Sequence, residues 1–449
     1  MTDAPADLET IAAALLDAAR KAGAEAADAL ARDGTSVSVD VRAGALEHAE
    51  RAEGIEIGLR VLVGQRQACV SASDIRAETL QAMAERAVAM AREAPEDPWI
   101  GLAEPGQLAR ELIDLDLCDP AAEPAPGALE AAALAAEAAA LAVDGVAQVS
   151  GASAGYSASA MHLAASNGFS AGMRRTSSSL SCTAIAGRGA GMERDHDYDG
   201  RLYRADLRDP ADIGRRAGER AVARLGARQP KTGAYPVIFD ERVAGSIIGH
   251  LLGAVNGQAI ARGGSFLRDD LGAQILPAGL SVTEDPLRRR VAGSRAFDGE
   301  GLATARRDII RDGVLTGWTM DLATARQLGM TATGNAARGL SSPPSPATWN
   351  IELTQGRQSR AELMREVGTG LLVTSLIGAT INPNTGDYSR GAAGFWIENG
   401  ELAYPVNEIT IAGNLRRMFA AMVPANDARG WLSHVVPSLL IDGLTLAGS

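Results

Sequence analysis

The sequence predicts an α+β chain in two domains: an N-terminal antiparallel sheet with helices, then a domain richer in β-strand. Three observations carry this. Apolar residues alternate with polar ones at Val37, Val39 and Val41 and again at Ile55, Ile57, Leu59, Val61 and Val63, the period of half-buried strands. Segments of helical spacing lie between such runs. At 449 residues the chain also exceeds what one core ordinarily organises. The stretch "GARQPKTGAYP" (226–236) joins Gly, Pro and charge, and marks a boundary between domains 1–228 and 229–449.

In order, Leu8, Ile11, Leu15 and Ala22 share a face of a first helix. Strands follow around 37–41 and 55–63, and Gly64 turns the chain into another near 67–71. Ser73 or Asp74 is placed to cap a helix whose Leu80, Met83, Ala87 and Met90 lie together. The Pro-, Ala- and acid-rich segment 116–127 reads as a loop, and an Ala-rich helix over about 128–143 ends at Asp144-Gly145. From Val146 to about Arg194 the pattern is antiparallel β, where Asn167-Gly168 suits a two-residue hairpin turn. Asp209-Pro210 opens one more helix, closed by Gly226. The second half begins with the apolar run "YPVIFD" and a helix over 241–257, followed by Gly- and Pro-rich loops and many short strands.

The balance of 43 basic against 55 acidic residues gives a formal charge of −12, which opposes nonspecific binding to nucleic acid. No apolar run approaches the roughly 20 residues that cross a bilayer. The acidic start "MTDAPADLET" lacks the basic and apolar stretches of a signal peptide. Cys69, Cys118 and Cys182 are widely spaced, as expected of free thiols in a reducing cytoplasm.

Three motifs invite a chemical reading. "GASAG" (151–155) matches the G-x-S-x-G of serine hydrolases, but that elbow needs a helix after it, and the following "YSASAMHLAAS" alternates as a strand. Ser153 is therefore expected inside a β meander. "DHDYDG" sets Asp195, Asp197, Asp199, Gly200 and Asp206 on positions 1, 3, 5, 6 and 12 of a calcium loop. Position 12 carries Asp instead of the longer Glu and no entering helix precedes the loop, so a solvated acidic strand end is expected. His250, in "ERVAGSIIGHLLGAVNG", is one of five histidines. A catalytic zinc takes about three protein ligands and a water, yet the surrounding Gly245, Ser246, Ile247, Ile248 and Gly249 offer none of the usual type. No cysteine follows Cys182, and His434 is the only other histidine of the second half, so a structural histidine is the plainer reading.

The segment "YPVIFDERVAGSIIGHLLGAVNGQAIARGGSFL", with "TGNAARG" and "GATINPNTGDYSRGAAGFWIENGELAYPVNEITIAGNL", resembles the TldD/PmbA family over nearly the whole chain. That resemblance implies a C-terminal pseudo-β-barrel carrying the motif helix. The TldD branch has H-E-x-x-x-H on this helix and a zinc-completing cysteine near the C-terminus. Here the first His position is Gly245, the Glu position is Ser246, and His250 alone remains. This departure matches the PmbA branch, also called TldE, so the helix carries a degenerate metal motif. Positions five apart on a helix point about 140° away from each other, so even an intact motif would need local distortion.

The resemblance implies a noncatalytic subunit without zinc in this chain, paired as a heterodimer with a TldD-like zinc-bearing homologue. Such complexes cleave small or unfolded peptides, including peptide-antibiotic leaders and antitoxins. "Modulator of DNA gyrase" is attached to the family, but an acidic chain does not suggest direct action on DNA. Asn384, Thr385, Gly386, Asp387, Ser389, Gly391 and Gly394 are the candidate peptide-binding residues, since glycine lets another backbone approach a strand edge. The alternative is that these glycines only form tight turns. A homodimer of the isolated chain is also expected. Two other readings stay open: a self-assembling peptide-binding scaffold, or a metallopeptidase using His250 and His434 with unconventional ligands.

Overall fold

The computed structural model describes residues 7–448. Helix α1 (Leu8–Ala22) starts where the Asp7 carboxylate accepts from the Thr10 amide, and stops at Gly23 in the left-handed region. Strands β1 (Ala26–Arg42), β2 (Ala45–Val63) and β3 (Arg66–Ala72) follow, then α2 (Ala77–Glu93) and α3 (Pro126–Leu141). Strands β4 (Val146–Ala165), β5 (Ser170–Ala186) and β6 (Glu193–Arg201) precede α4 (Pro210–Ala223). The six strands form one antiparallel half-barrel sheet in the order β3-β2-β1-β4-β5-β6.

Alternation along β1 divides the faces of this sheet. Ala27, Ala29 and Ala31 pack under α1 and α2, while Val37, Val39 and Val41 pack under α3 and α4. One long strand therefore serves two separate cores. Helices α3 and α4 pack backbone to backbone at Gly214 of α4, where a Cβ would stand 1.8 Å from the Ala136 carbonyl oxygen. On the opposite face, Leu30, Leu163 and Ala171 meet Phe297 from the second half of the chain. Beyond that contact the face is lined by Gly34, Ser36, Ser157, Ser159, Ser177 and Ser179, which the register places side by side.

Several local expectations are corrected. β1 and β2 extend beyond their apolar runs and join through Ala43 and Gly44, both at positive φ. Met90 is exposed, and the buried face of α2 is Leu80, Met83, Ala84, Ala87, Val88 and Ala91. Asp74 makes no cap on that helix: its carboxylate takes the Arg76 amide and the Thr79 hydroxyl instead. Residues 166–169 separate β4 from β5, so the Asn167-Gly168 turn is longer than two residues.

The second half opens with β7 (Gly233–Phe239) and α5 (Glu241–Ala254). β7 pairs in parallel with the Gly370–Ile381 strand, which continues antiparallel to Asp387–Glu398 and Glu401–Asn414. Glu401–Asn414 pairs with Leu439–Ala447, and that strand pairs back on β7, closing a five-stranded barrel. Alternation again sorts the residues: Val237, Phe239, Leu371, Val373, Leu439 and Ile441 share one core with α5. Ile238, Leu372 and Leu440 point the other way and pack with Leu363. A second sheet carries Val314–Leu315, Arg307–Arg311, Val282–Glu284, Ile351–Leu353 and His434–Val435 in that order.

The two halves are tied by buried charge. Asp28 of β1 pairs with Arg60 of β2 at 2.5 Å and with Arg338 of the second half at 2.7 Å, and these side chains are 4%, 3% and 1% exposed. Arg242 of α5 reaches back to Asp195 of β6 at 3.1 Å. Among the described residues, no helix is long and apolar enough to cross a membrane.

Candidate functional site

Helix α5 is positioned at its start by Asp240, whose carboxylate accepts from the Arg242 amide and also pairs with Arg360. Its apolar face, Ala244, Ile247, Ile248 and Leu251, is fully buried in the barrel core. The opposite face carries Gly245, Gly249 and Gly253, where an added Cβ would meet nothing within 4 Å. Ser246 lies between these faces, and its hydroxyl folds back to donate to the Val243 carbonyl at 2.7 Å.

His250 sits edge-on to Tyr388, with ring centroids 5.8 Å apart and planes at 71°. Its Nε2 is buried without a hydrogen-bond partner. Burial lowers the imidazole pKa and the nearby Arg390 cation lowers it further, so the ring is neutral at neutral pH. Burial pushes the Tyr388 phenol up to about 12, against the pull of the same arginine. The site thus presents a neutral imidazole and a protonated phenol, with no carboxylate in contact with either ring's polar atoms among the described residues. Such a pair can exchange one hydrogen bond with a ligand, but lacks the carboxylate that would prepare a base.

Tyr388 and Arg390 come from the segment that the sequence singled out, yet neither is among the seven residues chosen there. The chosen residues serve several purposes. Asn384, Thr385 and Asp387 are exposed at the tip of a turn, where Thr385 donates to Asp387 at 2.7 Å and Asn414 donates to the Thr385 carbonyl. Gly386, at φ +78°, is buried against the Phe266 ring. Ser389 is half-buried, and Gly391 faces Ile377, which is 70% exposed. Gly394 is buried in the barrel wall, where a Cβ would lie 1.8 Å from the Leu372 carbonyl oxygen. The overlooked signal was alternation: in D-Y-S-R the tyrosine is the residue whose parity follows the buried Ala392 beyond it.

The other motifs resolve separately. His434 lies in the second sheet, paired with Ile351 and exposed, whereas Tyr388 belongs to a strand of the barrel sheet. Asp195, Asp197 and Asp199 occupy β6, a strand as expected, but their carboxylates are buried instead of solvated. Alternation aims them at α4 and its flanks: Asp197 pairs with Arg208 and Arg220, Asp195 with Arg224 and Arg242, and Asp199 with Arg201. Asp206 is exposed in a separate turn. Ser153 lies within β4 and donates to Asp40 across the strand pair. Among the described residues, no three His, Cys, Asp or Glu side chains converge as metal ligands would.

Comparison with known proteins shows the same chain plan elsewhere. Models of the PmbA/TldA metallopeptidases match in three consecutive pieces: domain 1 over residues 27–91, the central domain over 119–225 and the C-terminal domain over 232–448. The chain belongs to the PmbA/TldD family. A family relative from Escherichia coli O157:H7, called metalloprotease PmbA, is 38% identical over 415 residues, spanning 92% of this chain and 90% of its own. The crystal structure of a Bacteroides thetaiotaomicron protein described as a modulator of DNA gyrase superposes with a TM-score of 0.91 at 28% identity. That alignment covers 98% of this chain and 99% of the other. TldE from Thermococcus kodakarensis shares the fold, with a TM-score of 0.85 at 20% identity over 98% of this chain and all of its own.

Proposed function

We propose that this chain is a noncatalytic, PmbA/TldE-type subunit of a cytoplasmic TldD/TldE-type metalloprotease complex that processes small or unfolded peptides. The observation that carries this reading is the composition of α5. Where the TldD-type motif has its first histidine and its glutamate, the helix has Gly245, with no side chain, and Ser246, whose hydroxyl is engaged by its own backbone. His250 supplies one imidazole nitrogen, and a catalytic zinc takes about three protein ligands. The residues present do not fit the ion, and no step of the chemistry is assigned to them. Zinc belongs to a TldD-like partner in this reading. The peptide passes the turn at Asn384–Asp387 and the open glycine face of α5, where backbone can approach closely.

The test is reconstitution. The purified chain alone should hold no stoichiometric zinc by elemental analysis and cleave no unfolded peptide. Mixed with a zinc-bearing homologue from the same genome, it should elute as a heterodimer and cleavage should appear. One tightly bound zinc per isolated chain, lost together with activity on chelation, would overturn the noncatalytic assignment. Separate elution at micromolar concentration would favour the self-assembling peptide-binding scaffold.

The same reading sets the outcome for His250. His250→Ala should leave cleavage by the reconstituted complex within about twofold of wild type, a change too small to register as a lost transition-state contact. Its cost should be about 1–2 kcal/mol of stability, from lost packing against Tyr388. Collapse of cleavage at unchanged melting temperature would give His250 a chemical role.

A further inference from the structure

Between the serine-lined face of the half-barrel and the second half of the chain lies a cavity of about 270 Å³. Arg32, Arg175, Arg295 and Arg338 all line it, and Asp298 is the one carboxylate among its lining residues. That carboxylate is already committed, accepting the backbone amides of Glu300, Leu302 and Ala336. Arg338 shares Asp28 with Arg60. Arg175 donates to the Ser294 carbonyl at 2.7 Å, and Arg295 stacks over the Trp349 ring at 3.5 Å. Among the described residues, neither Arg175 nor Arg295 has a carboxylate within ion-pair distance.

The guanidiniums also keep unused donors. Arg175 Nε, Arg295 Nε, and both Nε and Nη1 of Arg338 are buried without a hydrogen-bond partner. Burying a cation without a counter-charge is costly, and each unused buried donor adds to that cost. Burial, together with the like charge of Arg175, pushes Arg295 down to about 10 despite the opposing pull of the more distant Asp298 and Glu284. Native folds rarely tolerate four such orphans in one place unless water or an ion completes them. Planar guanidinium groups match the oxygens of carboxylate and phosphate, whose charge would offset the excess here.

We propose that this cavity is a binding site for a small oxyanion, a carboxylate or phosphate, held between Arg175 and Arg295 with Arg338 as a third donor. Exposed Arg32 stands at its mouth. The volume lies just below the roughly 300–1,000 Å³ of pockets for drug-sized ligands, which suits phosphate, a short dicarboxylate or one acidic peptide side chain. The site spans both halves of the chain, so its occupant would brace their junction. This inference does not depend on the protease-subunit reading.

Thermal melts of the full chain test it, using inorganic phosphate, succinate and a short acidic peptide, each against sodium chloride at equal ionic strength. A specific anion should raise the melting temperature by several degrees through binding to the folded state alone. A response to phosphate or succinate assigns a free anion, and a response confined to the acidic peptide assigns a peptide carboxylate. Arg175→Gln and Arg295→Gln, each checked for folding by circular dichroism, should weaken the dissociation constant at least tenfold by calorimetry. No anion-specific rise in the wild-type chain would overturn the proposal, whatever becomes of the variants. So would a rise that persists in a folded variant.

Discussion

Asp28→Ala should destabilise the folded chain by about 3–5 kcal/mol, the range for removing one partner of a buried ion pair. The carboxylate lies between two guanidiniums, Arg60 at 2.5 Å and Arg338 at 2.7 Å, that are 3% and 1% exposed. Truncation leaves both cations buried with no opposing charge beside them, one on each side of the junction between the halves. Glu300, buried nearby, cannot take over: burial and the adjacent Asp298 raise its pKa, so it resists carrying charge. Surface pairs such as Arg20 with Asp17 should show only about 0–1 kcal/mol when broken, and so serve as controls. Urea unfolding measures the difference. A loss below about 1 kcal/mol would mean that water reaches these cations and that the junction is not held by their pairing.

Gly394→Val should cost about 3 kcal/mol or more, at the upper end of overpacking effects, because the obstacle is backbone. Its Cβ would fall 1.8 Å from the Leu372 carbonyl oxygen, in a strand that pairs on both sides. Neither neighbour can yield without breaking barrel hydrogen bonds. Gly391→Ala is the matched comparison, since its Cβ would meet Ile377 no nearer than 3.4 Å. Thermal unfolding should separate the two variants clearly, although both glycines share one segment. Similar melting temperatures would show that the barrel wall gives way locally and that Gly394 is not fixed by packing.

Much of the first half was legible because its burial is one-sided. Alternation at Val37–Val41 and Ile55–Val63 named strands correctly, since one face meets helices. The polar start of β2, "ALEHAERAEG", was not legible: it is exposed on both faces, so no pattern of burial constrains it. The Ala43-Gly44 turn escaped for a related reason, because alanine at φ 54° is not a residue that advertises a turn. Barrel closure depends on partners far apart in sequence, which local periodicity does not report. At the candidate site, helix α5 itself was readable from the sequence, since Ala244, Ile247, Ile248 and Leu251 recur at helical spacing. The contact of His250 with Tyr388 was not, because it joins a helix to a strand 138 positions later. The acidic run in β6 misled for the opposite reason. Its carboxylates look solvated until Arg208, Arg220, Arg224 and Arg242 arrive from elements that follow it.

The closed barrel also bears on how the protein is made. Phe239 pairs with Leu439, 200 positions later, whereas the half-barrel needs nothing beyond Arg201 to complete its own strands. On the ribosome, at about 5–20 residues per second, the first sheet can assemble while β7 still waits for its antiparallel neighbour. During that interval β7 presents unpaired amides and carbonyls along an apolar strand, the kind of edge that invites pairing with another nascent chain. Synthesis therefore passes through a stage in which the second half is most exposed to misassembly, and emergence of Leu439–Ala447 ends it.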